Sequence, residues 1–329
     1  MGHGTPANTI RTRTRAVQQH GDTKMLWSIL TIEPERDDVG DEIIRRIVAP
    51  MTSQPAAEDG RLQFTRNLDS GHPSVVLYMN ATDSDIRRLA KLAQALADEN
   101  VDKLGEVNMS RAPSIAYPPA PGEPVAVATE EILARFGGPK GAELIKEVAD
   151  VSSDLTLWAI NRFPALKTRS MLGALLLFDT AHAMMRGPRS ALWPDRRTVS
   201  WDYYWNTHLH ACTGSGGSSP ESARQAMART APRVVPTHRV MAAVASESAV
   251  DIWRKRWVKT IDDYLHRADK HRISRSAPLL AMMAGQLTLN RLGFSSRDQG
   301  ALASTLVLGV RILKLSIAGR SALAPAKPV

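Results

Sequence analysis

The densest group of chemically capable side chains lies between positions 193 and 210. Flat aromatic rings can stack on flat heteroaromatic ligands, and imidazoles exchange protons near neutral pH. A partly buried aromatic cluster under a loop is the other interpretation. On a strand, two histidines two positions apart would face the same side, but no third zinc ligand stands at an evident spacing. The side chains concerned are Trp193, Trp201, Tyr203, Tyr204, Trp205, His208 and His210.

A second group of polar side chains lies on a predicted β-hairpin. Apolar and β-favouring residues at Leu62, Phe64 and 75–79 flank the segment 67–71, which has the composition of a tight turn. Asp83 or Ser84 can cap the helix that follows, because its apolar residues recur at helical spacing.

Two elements precede the hairpin. A strand that begins with Trp27 is followed by a short helix over 39–48, which we expect to end at Pro50.

Composition limits the classes of function. Lys and Arg exceed Asp and Glu by nine, with a pI near 9.9, so we expect an acidic partner. The basic residues are spread rather than clustered and no nucleic-acid-binding motif is present, so we expect no nucleic acid partner. The alternation of Arg11, Arg13 and Arg15 with threonines predicts a flexible basic arm over residues 1–23, which could grip an acidic peptide.

Other classes are excluded by what the sequence lacks. A single cysteine, Cys212, allows no internal disulfide, and neither a signal peptide nor a membrane span is evident. We therefore expect a cytoplasmic protein. The glycines of 213–220 lack the lysine and the preceding strand of a phosphate loop, so no nucleotide cofactor is predicted.

Several motifs in order along the chain resemble the elimination domain of lanthipeptide dehydratases, a domain that recurs as a stand-alone protein in thiopeptide pathways. They are 64–66 with Asp69, Gly71 and His72; Tyr117-Pro118-Pro119 with 134–142; and 285–293, which contains Asn290-Arg291-Leu292. Pattern and resemblance together predict an α+β fold with a mixed or antiparallel sheet, flanking helices and a helical C-terminal half. Residues 24–329 are expected to form a single catalytic domain.

The departures from the family pattern indicate which chemistry to expect. The family places two arginines after the hairpin histidine, and in that region this chain has Ser74, Val76 and Tyr78. The family also has two histidines in its C-terminal motif, where this chain has Gln286 and Thr288. In the family those arginines bind a glutamyl ester, so their loss removes charge-assisted contacts to carboxylates. The resemblance then implies the other activity of this scaffold, that of a thiopeptide pyridine synthase.

This activity is a formal aza-[4+2] cycloaddition between two dehydroalanines of a thiazole-rich precursor peptide, followed by loss of water and of the leader peptide. No cofactor and no metal is implied, and the partner is a modified precursor peptide with an acidic leader. Proton transfer in this reaction suits neutral side chains. The catalytic candidates are Tyr78, Ser74, Tyr203, Tyr204, His208, His210 and Gln286, and the substrate- or leader-binding candidates are Arg66, Trp201, Trp205, Asn290 and Arg291.

Two alternatives stay open at the level of sequence. One is a glutamate-eliminating lyase that binds carboxylates through Arg66, Arg87 or Arg88. The other is a non-catalytic partner that holds a leader peptide with its basic arm and a sheet edge. Tyr78 could also be a core residue with a satisfied hydroxyl, and Arg291 could serve only to anchor its helix.

Overall fold

In a computed structural model, the chain is described over residues 25–54, 61–68, 72–112, 115–116, 133–189, 199–214 and 236–303. The predicted basic arm, the hairpin turn at 69–71 and Trp193 lie outside these residues. No helix in the described ranges is long and apolar enough to cross a membrane.

The predicted sheet is present and is antiparallel throughout the described residues. Its strands are β1, Leu26–Pro34; β2, Arg61–Asn67; β3, Ser74–Ala81; β4, Val107–Arg111; and β5, Ile115–Ala116. They are ordered β2-β3-β1-β4, and β5 also pairs with β1. The hairpin prediction is confirmed, because β2 pairs with β3 in a register that sets Phe64 opposite Leu77.

Helices precede, follow and pack beside this sheet. They are α1, formed by the consecutive segments Asp37–Val39, Gly40–Ile43, Ile44–Val48 and Ala49–Thr52; α2, Asp83–Glu99; α3, Val101–Leu104; α4, Pro139–Arg162, which a single helical turn at 133–136 precedes; α5, Leu166–Arg186; α6, Trp201–Gly214; α7, 236–245; α8, Ser248–Lys270; α9, Ala277–Arg291; and α10, 296–303.

Two predicted helix boundaries are wrong. Helix α1 runs past Pro50 to Thr52, because the proline occupies the first turn of its last segment, where a backbone N–H is not required. Helix α2 is capped by Thr82 rather than by Asp83 or Ser84. The Thr82 hydroxyl accepts a hydrogen bond from the Asp85 N–H at 3.2 Å.

The apolar residues of the described part form two clusters. One lies between the sheet and helices α1 and α2, and includes Phe64, Leu77 and Ile47. The other fills the helical half between α4, α5, α6, α8 and α9. Helix α4 joins them, because its Ile160 belongs to the sheet cluster while Leu144 and Leu155 belong to the helical one.

Candidate active site

The candidate site begins with the face of β3 that points away from the sheet core. Val75, Leu77, Met79 and Ala81 are buried in that core, and the strand alternates, so Ser74, Val76, Tyr78 and Asn80 lie on the opposite face. Ser74 is buried, whereas Val76, Tyr78 and Asn80 are half-buried. The row brings two predicted catalytic residues, Ser74 and Tyr78, onto one surface.

Tyr78 lies beside a polar cluster that the sequence did not reveal. Gln63 stands directly opposite Tyr78 in the β2–β3 register. Its Nε2 donates to Asp150 Oδ1 of α4 at 2.8 Å. The buried guanidinium of Arg291 interacts electrostatically with both Tyr78 and Asp150. Removal from water lowers the pKa of Arg291 to about 10, and its coulombic interactions with Tyr78 and Asp150 oppose that effect.

Helix α9 closes the outer edge of β2. The Asn290 side chain accepts from the Arg66 N–H at 2.9 Å and donates to the Arg66 carbonyl at 2.7 Å. Arg291 Nε donates to the Phe64 carbonyl at 2.5 Å, and Arg66 Nε donates to the Arg291 carbonyl at 2.8 Å. We predicted that Arg66, Asn290 and Arg291 contact the substrate, but these bonds hold α9 against β2. We name this set of four hydrogen bonds the edge latch.

Arg66 is further held by a buried ion-pair network. Asp41 of α1 accepts from Arg66 Nη2 at 2.6 Å and from Arg169 Nη2 of α5 at 2.7 Å. Burial raises the pKa of Asp41, but the two guanidiniums outweigh it and the pKa is lowered. The network borders a cavity of about 270 Å³ at the Ser74 end of β3. Arg66 and Arg169 therefore share one carboxylate inside the fold.

A larger cavity lies at the other end of the row. It measures about 520 Å³ and is lined by Asn80, by Glu143, Lys146 and Glu147 of α4, and by Arg267. Lys146 also lies over the ring of Trp27, with its Nζ 4.8 Å from the ring centroid. Because Ser74 and Asn80 are six residues apart on a strand, the row between the two cavities is about 20 Å long. Such a surface suits an extended peptide.

The aromatic segment is helical, not extended. Positions 208 and 210 lie about 200° apart around a helix axis, so the arrangement of two histidines on one side of a strand is excluded. Tyr204, Trp205 and His208 are buried in the helical core. Burial alone lowers the pKa of His208 to about 4, so its ring is neutral, and burial also raises the pKa of Tyr204.

This placement corrects part of the predicted stacking wall. A docked peptide cannot stack on Trp205 or Tyr204 while they are 2% exposed. Trp201 is half-buried and Tyr203 is 62% exposed, so these two stay available to a ligand. The side chain of His210 lies outside the described residues. In the part of the chain that is described, neither ring nitrogen of His208 has a hydrogen-bond partner.

Gln286 links this helix to the candidate site. It is half-buried on α9, and its Nε2 lies 3.8 Å from Sγ of the buried Cys212 on α6. Arg291 follows five residues later on the same helix, about 7.5 Å along its axis. Gln286 therefore lies about one and a half turns from the cluster around Tyr78. Among the described residues, no group of three His, Cys, Asp or Glu could hold a metal ion.

Comparisons with known proteins show the fold. No protein-family model and no curated protein matches the chain. Among solved structures, TsrL matches with a TM-score of 0.57 at 16% identity, over 88% of this chain and 95% of that one. A pyridine synthase, TbtD, from thiomuracin biosynthesis matches with a TM-score of 0.54 at 15% identity, over 88% and 99%. MibB, a tRNA dependent lantibiotic dehydratase from Microbispora sp. 107891, matches with a TM-score of 0.49 at 16% identity, over 88% of this chain and 28% of that one. The first two matches confirm the fold that the motifs predicted.

Proposed function

We propose that this protein is a thiopeptide pyridine synthase. It joins two dehydroalanines of a thiazole-rich linear peptide in a formal aza-[4+2] cycloaddition. Loss of water and of the leader peptide then gives the central pyridine. The proposal draws on the shared fold with TsrL and TbtD and on the sequence motifs. The observation that carries it is the uncharged row Ser74, Val76, Tyr78 and Asn80, which runs along the sheet face between two cavities.

The lyase alternative needs an arginine that can bind a substrate carboxylate. None of the three candidate arginines has a guanidinium placed for that role. Arg66 is buried against Asp41. Arg87 and Arg88 are paired with Asp83 and Asp85 on the exposed side of α2. Helix α2 packs its apolar side on the core face of the sheet, so these two arginines lie on the side away from Tyr78. Arg66, Arg87 and Arg88 therefore do not offer a glutamyl ester the charge-assisted contacts that the lyase needs.

In the proposed reaction, the main role of the protein is to position the two reacting dehydroalanines. Bringing two dehydroalanines together across a peptide loop costs closure entropy, and holding them in reactive geometry can supply up to roughly 7–11 kcal/mol of the barrier. A 20 Å row suits an extended peptide of about six residues. Tyr203 and Trp201 are the proposed stacking surfaces for its thiazoles.

The chemistry itself requires proton transfers. The substrate amide must become its iminol tautomer, and the first cyclic product must lose water. Ser74 and Tyr78 are the proposed donors and acceptors on the sheet face, and Gln286 is a proposed carbonyl contact. Tyr204 and His208 take part only if α6 moves, since both are buried as the structure stands. The partner in this proposal is a modified precursor peptide with an acidic leader, which the net charge of +9 would attract, in the cytoplasm.

The test is mass spectrometry of the purified protein incubated with a linear thiazole peptide that carries two dehydroalanines and its leader. We expect a product lighter by water and the leader-peptide amide, with nothing else added. A second reaction contains a glutamylated peptide of the same sequence and should show no release of glutamate.

Two results would overturn the proposal. Glutamate release from the second peptide would establish the lyase. Tight binding of the first peptide without any change in its mass would instead establish a peptide-binding partner that does no chemistry.

A further inference from the structure

Asp150 stands at the candidate site although no sequence motif marks it. It is half-buried on α4, and its Oδ1 accepts from Gln63 Nε2 at 2.8 Å. Gln63 and Tyr78 are directly paired across β2 and β3, a relation that sets Cα atoms about 4.5–5.5 Å apart. A carboxylate and a phenol are thus brought to one patch of the sheet face by a single intervening side chain.

Two basic side chains belong to the surroundings of Asp150. Arg291 reaches it from α9 and is the buried cation of the patch. Lys146 precedes it by four residues on α4 and so lies on the same side of the helix. Tyr78 of β3 is paired with Gln63, the residue that donates to Asp150. A carboxylate and a phenol on one patch, with basic side chains around them, have the composition of a proton acceptor paired with a proton donor.

We propose that Asp150 is a catalytic residue, the base that removes the amide proton in the tautomerisation step of the proposed function, on which this inference rests. The Asp150 carboxylate takes the substrate N–H proton while the Tyr78 hydroxyl gives its proton to the amide oxygen. The amide becomes the iminol, Asp150 becomes a carboxylic acid and Tyr78 a phenolate. Proton return from Asp150 to Tyr78 restores both groups, so no outside reagent is needed.

Arg291 has a supporting part in this step. Its guanidinium is fully buried and, within the described residues, its Nη1 has no hydrogen-bond partner. A fixed cation beside a phenol stabilises the phenolate that forms transiently, and it does so more strongly away from water. The edge latch holds this cation in place.

The test compares Asp150→Asn with wild type on the linear dehydroalanine peptide. Asparagine has nearly the same shape as aspartate, and its side-chain oxygen can still accept the hydrogen bond from Gln63. The variant should therefore fold, and its thermal unfolding is measured to check this. We expect kcat to fall by roughly 10²-fold or more with KM nearly unchanged, and the acid limb of the kcat–pH profile to disappear. Asp154→Asn is the matched control on the same helix, because Asp154 is exposed and pairs only with Arg256 among the described residues.

The outcomes separate the two proposals. An active wild type whose D150N variant keeps its kcat and its acid limb overturns the role of Asp150 alone. If the D150N variant does not fold, Asp150→Glu is measured in its place. Asp150→Glu should keep the acid limb of the kcat–pH profile, and loss of that limb overturns the role of Asp150. A wild type that makes no cyclised product overturns the proposed function and the role of Asp150 with it.

Discussion

Among the described residues, Asp41 is the one carboxylate that lies between two buried guanidiniums, and its removal gives the sharpest test of the structure. In the Asp41→Asn variant, Arg66 and Arg169 lose their shared counter-ion, although their side chains are only 6% and 2% exposed. Because one carboxylate offsets one of the two positive charges, the variant raises the net charge of this buried group from +1 to +2.

The expected loss is large for one substitution. Breaking a buried ion pair from one side costs about 3–5 kcal/mol, and the Asp41 side chain is 21% exposed, so we expect about 3 kcal/mol. That is a substantial part of the 5–15 kcal/mol that typically separates folded and unfolded states. Asp38→Asn is the matched control. It removes a carboxylate from the same helix, but Asp38 and its partner Arg36 are both exposed and no measurable change is expected.

The assay is urea unfolding of the three proteins between pH 3 and pH 8. The Asp41 pKa is lower in the folded state, so its stabilisation is complete above the unfolded pKa of about 3.9 and is lost as pH falls through the folded pKa. The gap between wild type and D41N should be constant from pH 6 to 8 and narrow below pH 4. A D41N variant as stable as D38N would refute the network as described.

Three further predictions concern the latch, the buried histidine and the phenol. Asn290→Ala should lower the free energy of unfolding in urea by about 2 kcal/mol, because it breaks two hydrogen bonds to the Arg66 backbone. Asn108→Ala, at an exposed position, should not lower it. Equal unfolding midpoints for the two variants would contradict the edge latch. His208 binds a proton near pH 6.5 in the unfolded state but only near pH 4 in the fold. The free energy of unfolding of wild type should therefore fall by about 2 kcal/mol between pH 7.5 and 5, and that of His208→Gln should not show this fall. Parallel pH curves for the two proteins would show that His208 is already protonated or exposed. Tyr78→Phe should lower kcat about 10²-fold in the cyclisation assay while Tyr264→Phe, a buried tyrosine outside the site, leaves it unchanged; equal rates for both would remove Tyr78 from the chemistry.

Local structure was predictable where one pattern dominated. Apolar residues alternate along β3 and recur at helical spacing along α2, and in both elements these residues form the buried side. The sequence was therefore sufficient to place both elements. Segment 201–212 was harder. Trp201, Tyr204, Trp205, His208 and Cys212 recur at helical spacing, but their polar atoms gave no sign that this side is the buried one.

The site was less predictable than the fold, because its contacts join distant parts of the chain. Gln63 and Asp150 are separated by 87 residues and Arg66 and Asn290 by 224. Family motifs identified Arg66, Asn290 and Arg291 but suggested substrate contacts, whereas the structure uses their hydrogen bonds to join α9 to β2. Residue type alone does not distinguish an arginine that binds a ligand from one that anchors a helix.

The most direct measurement of the central claim is the carbon connectivity of the product. A linear thiazole peptide is prepared with carbon-13 throughout both dehydroalanines, incubated with the purified protein and examined by NMR. If the protein is a pyridine synthase, a one-bond carbon–carbon coupling that joins the two labelled residues will appear among aromatic signals. Two separate dehydroalanine spin systems in a peptide incubated with folded protein would contradict the claim.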